Sequence, residues 1–159
     1  MVWTLAFEMK ILNSMQNSPA PLSRAAKPMP NYTAIVTLLA LLFYVYTALA
    51  VARARAKFGV KVPAISGQPD FERVFRVQMN TLEWLPIFLP SLWLFAVYMN
   101  DAAAAAIGLL WIIGRVLYFR GYAAAAEKRE RGFGIQALAT AILLFGALAG
   151  IVARIVSGN

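Results

Sequence analysis

The sequence predicts an all-α integral membrane protein, built as an antiparallel four-helix transmembrane bundle. Of its 159 residues, 61% are apolar, where soluble domains carry about 45–50%. Only 14% are charged, against about 25% in soluble domains. A soluble domain of this length has too little interior to hide that much apolar surface. Four separate stretches are also long enough to cross a hydrocarbon core, which takes about 20 residues.

The first stretch runs from Tyr32 to Ala52 and carries no charge. The second, from about Val74 to Met99, contains polar residues and two prolines, Pro86 and Pro90. Asn100 and Asp101 make a very short turn before the third, Ala102 to about Phe119; the fourth spans Ile135 to about Val156. Connections this short join antiparallel neighbours. Alanine runs at 102–106 and 123–126 suit helices that approach closely in lipid. Residues 1–30, with Lys10, Arg24, Lys27 and four prolines, are expected to form a mobile tail outside the bundle. Met29 reads as an alternative start, and residues 31–159 as the domain.

Charge sets the expected orientation. The first connection and its flanks carry Arg53, Arg55, Lys57, Lys61, Arg73 and Arg76; the third and its flanks carry Arg115, Arg120, Lys128, Arg129 and Arg131. The Asn100–Asp101 turn carries no cation. The positive-inside rule then puts connections one and three in the cytoplasm and both termini on the opposite side. A formal charge of +8 is accounted for by this topology and by contact with anionic lipid, so no nucleic-acid partner is expected. Cys and His are both absent, which excludes a disulfide framework, a Cys/His zinc site, His general-base catalysis and a protein-borne thiol nucleophile. Any sulfur chemistry needs a cosubstrate that brings the sulfur.

Two polar stripes lie in this apolar background. At 100° per residue, Arg73, Arg76, Asn80 and Glu83 fall within about 80° on the second helix, while Gln78 points away. If the third helix continues unbroken, Arg115, Tyr118, Tyr122 and Arg129 fall within about 60°, although Gly121 weakens that continuity. Such residues could simply tie the bundle together, or form an interfacial belt of tyrosines with snorkelling arginines. Intramembrane polar groups also tend to mark functional paths. Both stripes sit toward the cytoplasmic end, and together they offer cationic donors, a carboxylate, an amide and two phenols. Arginine forks bind carboxylates with paired hydrogen bonds, and Glu83 can hold an ammonium. A tripeptide with two carboxylates and one amine matches that inventory.

The run Phe71-Glu-Arg-Val-Phe-Arg-Val-Gln-Met-Asn-Thr-Leu-Glu83 resembles the helix-two signature of the membrane-associated proteins in eicosanoid and glutathione metabolism (MAPEG). It matches that signature at Glu72, Arg73, Arg76, Gln78, Asn80 and Glu83. Arg115-Val-Leu-Tyr-Phe-Arg-Gly-Tyr122, followed by Arg129, is similar to the helix-three segment of the microsomal glutathione transferase and leukotriene-C synthase branch. The resemblance covers about residues 31–156 and implies a homotrimer with glutathione, as cosubstrate, in each cleft between neighbours. It implies that Arg76, Asn80, Glu83, Tyr118 and Tyr122 contact glutathione from one subunit, with Arg73 on the same stripe and Arg115 in support. Arg55 and Gln78 would reach in from the neighbour, with Arg53 and Lys57 as alternatives to Arg55. Arg129 matches the arginine credited with stabilising the thiolate. Trp84 departs from the tyrosine frequent in the synthase branch. The histidine and aspartate of the prostaglandin E synthase branch are missing, which argues against prostaglandin isomerisation.

The expected function is membrane-bound transfer of glutathione to a lipophilic electrophile, or reduction of a lipid hydroperoxide, without a metal. The other readings are a non-catalytic scaffold of the same fold that presents a lipid, and a small transporter or channel. Against transport, no ionisable residue lies between Ala102 and Gly114 or between Ile135 and Ala153, so the polar groups do not cross the bilayer.

Overall fold

A computed structural model describes residues 8–10 and 29–158. The tail expected over 1–30 falls almost entirely outside the described residues. Four long helices follow one another: α1 (Asn31–Phe58), α2 (Pro69–Tyr98), α3 (Asp101–Ala124) and α4 (Glu130–Val156), with a 3-10 helix over Ala126–Arg129 ahead of α4. Each of the four is long and apolar enough to cross a membrane.

Local chemistry sets the helix ends. Gly59, at φ +67°, takes the left-handed conformation that closes α1, and the N–H groups of Gly59 and Val60 both donate to the Arg55 carbonyl; only glycine adopts that backbone without steric cost. Pro69 opens α2 from the extended Gln68, where its missing N–H has no partner to lose. Asn100 caps α3 by accepting from the Ala103 N–H at 2.9 Å. The start of α1 has no cap of its own, because Pro30 has no side-chain acceptor. Asp101 supplies one from across the bundle, its carboxylate accepting from the N–H groups of Tyr32 at 3.1 Å and Thr33 at 2.9 Å.

The helices run well past the apolar cores read from the sequence, because their charged ends stay helical beyond the hydrocarbon. α2 and α3 form the centre; α1 packs against both, and α4 packs against both. Their shared interior is filled by Val36, Leu85, Phe88, Leu92, Trp111 and Leu143, with alanines at 40, 104, 139 and 147 where backbones draw close. Phe88 and Trp111 stack at 4.0 Å between ring centroids. Leucines 38, 42 and 49 of α1 and Phe145 and Leu148 of α4 face outward, toward lipid or a neighbouring chain.

The third helix departs from the sequence expectation. It ends at Ala124, Ala125 is extended (φ −161°, ψ 142°), and Arg129 belongs to the 3-10 helix. The chain folds back so that the Lys128 carbonyl lies where a Cβ on Gly121 would be. A helix uninterrupted to Arg129 is thus replaced by a tight return, and Gly121 is the residue whose missing side chain makes room for it.

Candidate functional site

The middle of α2, the end of α3 and the 3-10 helix meet at the end of the bundle that holds connections one and three. They enclose a cleft of about 350 Å³ lined by Arg76, Met79, Asn80, Glu83, Tyr118, Tyr122 and Arg129. A second chamber of about 370 Å³ shares Asn80, Tyr118 and Arg129 with it and adds Glu130, Phe133 and Gly134. The first cavity is ionic, and the second adds an apolar wall at Phe133 and Gly134 beside Arg129 and Glu130.

Below the cleft, Arg115 is fully buried. Its Nη1 donates to Asn80 Oδ1 at 2.9 Å and to Gln136 Oε1 at 2.6 Å. Its Nη2 donates to the Val77 carbonyl at 3.3 Å and to Thr81 Oγ1. The guanidinium also lies 4.6 Å from the Tyr118 ring centroid and 5.9 Å from that of Trp111. One side chain of α3 thus anchors α2 and α4, and it fixes Asn80, whose Nδ2 donates to Glu83 at 3.3 Å. In lipid each such bond replaces an unsatisfied polar group, so the network holds Asn80 in a defined orientation.

Tyr118 and Tyr122 pack at 5.6 Å between centroids. The Arg129 guanidinium lies 5.1 Å over the Tyr122 ring, a cation–π contact that holds it at the mouth of the cleft. Trp84 packs edge-on against Phe133 at 5.6 Å and is not among the cleft-lining residues. The backbone beneath Tyr118 is supported by glycines: Gly132 lies against the Tyr118 backbone, and Gly114 against the backbone of residues 132 and 136.

Of the residues singled out in the sequence, Arg76, Asn80, Glu83, Tyr118, Tyr122 and Arg129 are brought together in one cavity, with Arg115 directly behind. Arg129 reaches it by the chain return and not by continuing the face of α3. Arg73 is turned elsewhere: it pairs with Asp70, and its Nε donates to the Ala123 carbonyl at 3.4 Å. Arg55 lies outside this cleft, bonded to the Ala64 carbonyl at 2.7 Å and stacked 5.0 Å over Phe71; Gln78 is also not among its lining residues. Thr81 and Gln136 were missed. Thr81 sits one step off the stripe counted along α2. Gln136 and Thr140 are the two polar residues between Ile135 and Ala153, and the rarity of such residues in lipid was the available signal.

The profile of the MAPEG family matches residues 33–149. The uncharacterized protein sll1147 of Synechocystis sp. is 52% identical over 76% of this chain and 88% of its own length. Human microsomal glutathione S-transferase 2 is 48% identical over 72% of this chain and 79% of its own. Rat leukotriene C4 synthase is 40% identical over 79% and 84%, respectively. The profile spans every residue that lines the cleft and most of the four helices, and the chain is a multi-pass membrane protein that belongs to the MAPEG family.

Proposed function

We propose that this protein is a membrane-bound glutathione transferase that joins glutathione to lipophilic electrophiles. The observation that carries the reading is the convergence of Arg76, Asn80, Glu83, Tyr118, Tyr122 and Arg129 on one cleft, in a chain whose relatives include a microsomal glutathione S-transferase and a leukotriene C4 synthase. Arg76 pairs with a carboxylate of the tripeptide and Glu83 with its ammonium. Asn80, fixed by Arg115, adds a directional hydrogen bond.

A thiol of pKa near 8.5 is ionised to only a few per cent at pH 7, and the thiolate is the nucleophile. Arg129 is the cation assigned to it. Its guanidinium favours the ionised sulfur, and more strongly beside lipid than in bulk water. The electrophile enters from the bilayer and meets the sulfur against the apolar wall that Phe133 and Gly134 give the second chamber. A C–S bond forms as the electrophile's leaving group departs with its electron pair, or as an opened oxygen takes up a proton. With a lipid hydroperoxide the same thiolate attacks the terminal oxygen, forming an S–O bond as the O–O bond breaks, and the released alkoxide takes up a proton to leave as the alcohol. A second glutathione then displaces water from the sulfenic acid to give the disulfide.

The arrangement extends to the assembly. In a homotrimer, Arg55 and Gln78 of one subunit complete the cleft of the next. Connections one and three face the cytoplasm, where glutathione enters, and both termini face away. The domain begins near residue 31. No metal takes part.

The test is an ultraviolet difference spectrum on adding glutathione to the purified protein. A saturable thiolate band is expected for the wild type. For Arg129→Ala it should form only at higher pH, with turnover reduced in parallel. An Arg129→Ala protein with an unchanged pH–rate profile removes the assigned role.

A further inference from the structure

Arg115 carries a full charge in the interior of the bundle, yet every group that bonds it is neutral: Asn80, Thr81, Gln136 and the Val77 carbonyl. Among the described residues no carboxylate lies within ion-pair distance of it. The surroundings are rich in donors as well, for Arg115 Nε and Gln136 Nε2 are both buried without an acceptor. A buried cation linked to a carboxylate only through Asn80, which bridges it to Glu83, is costly. It is accommodated when an anion sits close by, and the cleft lies just across Asn80 and Tyr118.

The charges facing the site can be counted element by element. α2 contributes Arg76 and Glu83, the 3-10 helix contributes Arg129, and α3 contributes the neutral phenols Tyr118 and Tyr122. These leave one net positive charge, and Arg115 makes it two. Glu130 of α4 lines the second chamber and not the cleft that holds Arg76 and Glu83. Glutathione with its thiol intact carries two carboxylates and one ammonium, a net charge of minus one; ionising the thiol makes it minus two. The cleft without Arg115 thus balances the thiol form, and the cleft with Arg115 balances the thiolate.

We infer that Arg115 supplies the second positive charge by which this cleft selects glutathione as its thiolate, and that the neutral amide of Gln136 beside it leaves that charge uncancelled. This rests on the glutathione reading above. Gln136 touches Arg115 from the side of α4 and is not among the residues that line either chamber. A carboxylate at position 136 would occupy nearly the same space as the amide, stay clear of the ligand and cancel the charge of Arg115.

The experiment titrates the thiolate band of saturating glutathione on wild-type protein, Gln136→Glu and Gln136→Leu, and measures the affinity of S-methylglutathione, which cannot ionise at sulfur. Gln136→Glu should raise the pH midpoint by about one unit and leave the Kd of S-methylglutathione within about threefold. Gln136→Leu, which removes a hydrogen bond and adds no charge, should leave the midpoint near the wild-type value. Arg115→Gln removes the charge and keeps an amide beside Asn80; it should raise the midpoint as Gln136→Glu does, which serves if the glutamate variant does not fold. A midpoint unmoved in Gln136→Glu or in Arg115→Gln overturns the inference, and so does an equal rise in Gln136→Leu. A wild-type protein with no saturable thiolate band would instead remove the glutathione reading itself.

Discussion

Gly132 of α4 lies directly against the backbone of Tyr118 in α3. A Cβ added at 132 would come within 2.6 Å of the Tyr118 Cα and 2.7 Å of the Gly114 carbonyl oxygen. All of these are backbone atoms, so no side chain can rotate to make room. The α3–α4 spacing and the position of a cleft-lining phenol are therefore set by the same contact. Gly132→Ala is expected to push the helices apart, lowering stability by about 1–3 kcal/mol and glutathione-conjugating turnover with it. Gly134, where an added Cβ meets open space, should gain slightly in stability on the same change, since alanine is the better helix former. Thermal unfolding midpoints of the two variants in one detergent check this, and equal midpoints would contradict it.

Arg115 predicts a different kind of loss. Replacing it with leucine takes a donor away from the buried Thr81 and Gln136 side chains and from the half-buried Asn80. The expected destabilisation is about 3–5 kcal/mol, the range for breaking one side of a buried charged network. Arg115→Lys restores the charge but not the fork that reaches α2 and α4 together, so it should recover only part of the stability. A lysine variant as stable as the wild type would show that charge alone holds the helices.

These two residues also show what the sequence could and could not reveal. The four helices and the stripe Arg76, Asn80, Glu83 were legible because lipid demands long apolar runs and the 3.6-residue period aligns whatever polar groups interrupt them. The end of α3 was not legible. The alanines at 123–126 favour helix at every position, and the return of the chain depends on a carbonyl from Lys128 packing where Gly121 has no side chain. Gln136 was hidden for a related reason: its importance comes from a partner on another helix, which no periodicity along α4 encodes. Arg73 could have been separated from the stripe locally, because Asp70 stands three residues away and helical neighbours at that spacing pair.

At the opposite end of the bundle, Asp101 serves as the missing cap of α1 through the amides of Tyr32 and Thr33. Asp101→Ala should cost about 1 kcal/mol, as loss of an N-cap does. It should also speed hydrogen exchange at those two amides without disturbing the distant cleft. Exchange at Tyr32 and Thr33 that stays at the wild-type rate would mean the first turn of α1 is held by packing alone.

The two arginines of the α2 signature, three residues apart, should behave differently. Arg76 lines the cleft, and no ion pair engages it among the described residues, so its guanidinium is available to a ligand carboxylate. Arg73 is already engaged by Asp70 and by the Ala123 carbonyl, and binding glutathione would require giving up both. A hydrogen bond to a charged group contributes about 1.5–3 kcal/mol, which corresponds to roughly tenfold or more in affinity. Arg76→Ala is therefore expected to raise the glutathione Kd at least tenfold. Arg73→Ala should leave it within about threefold and act on the packing of α2 against the end of α3. Calorimetric titration of both variants decides the matter: an equal loss of affinity would mean that Arg73 leaves Asp70 when the ligand arrives, and that the stripe binds as one unit.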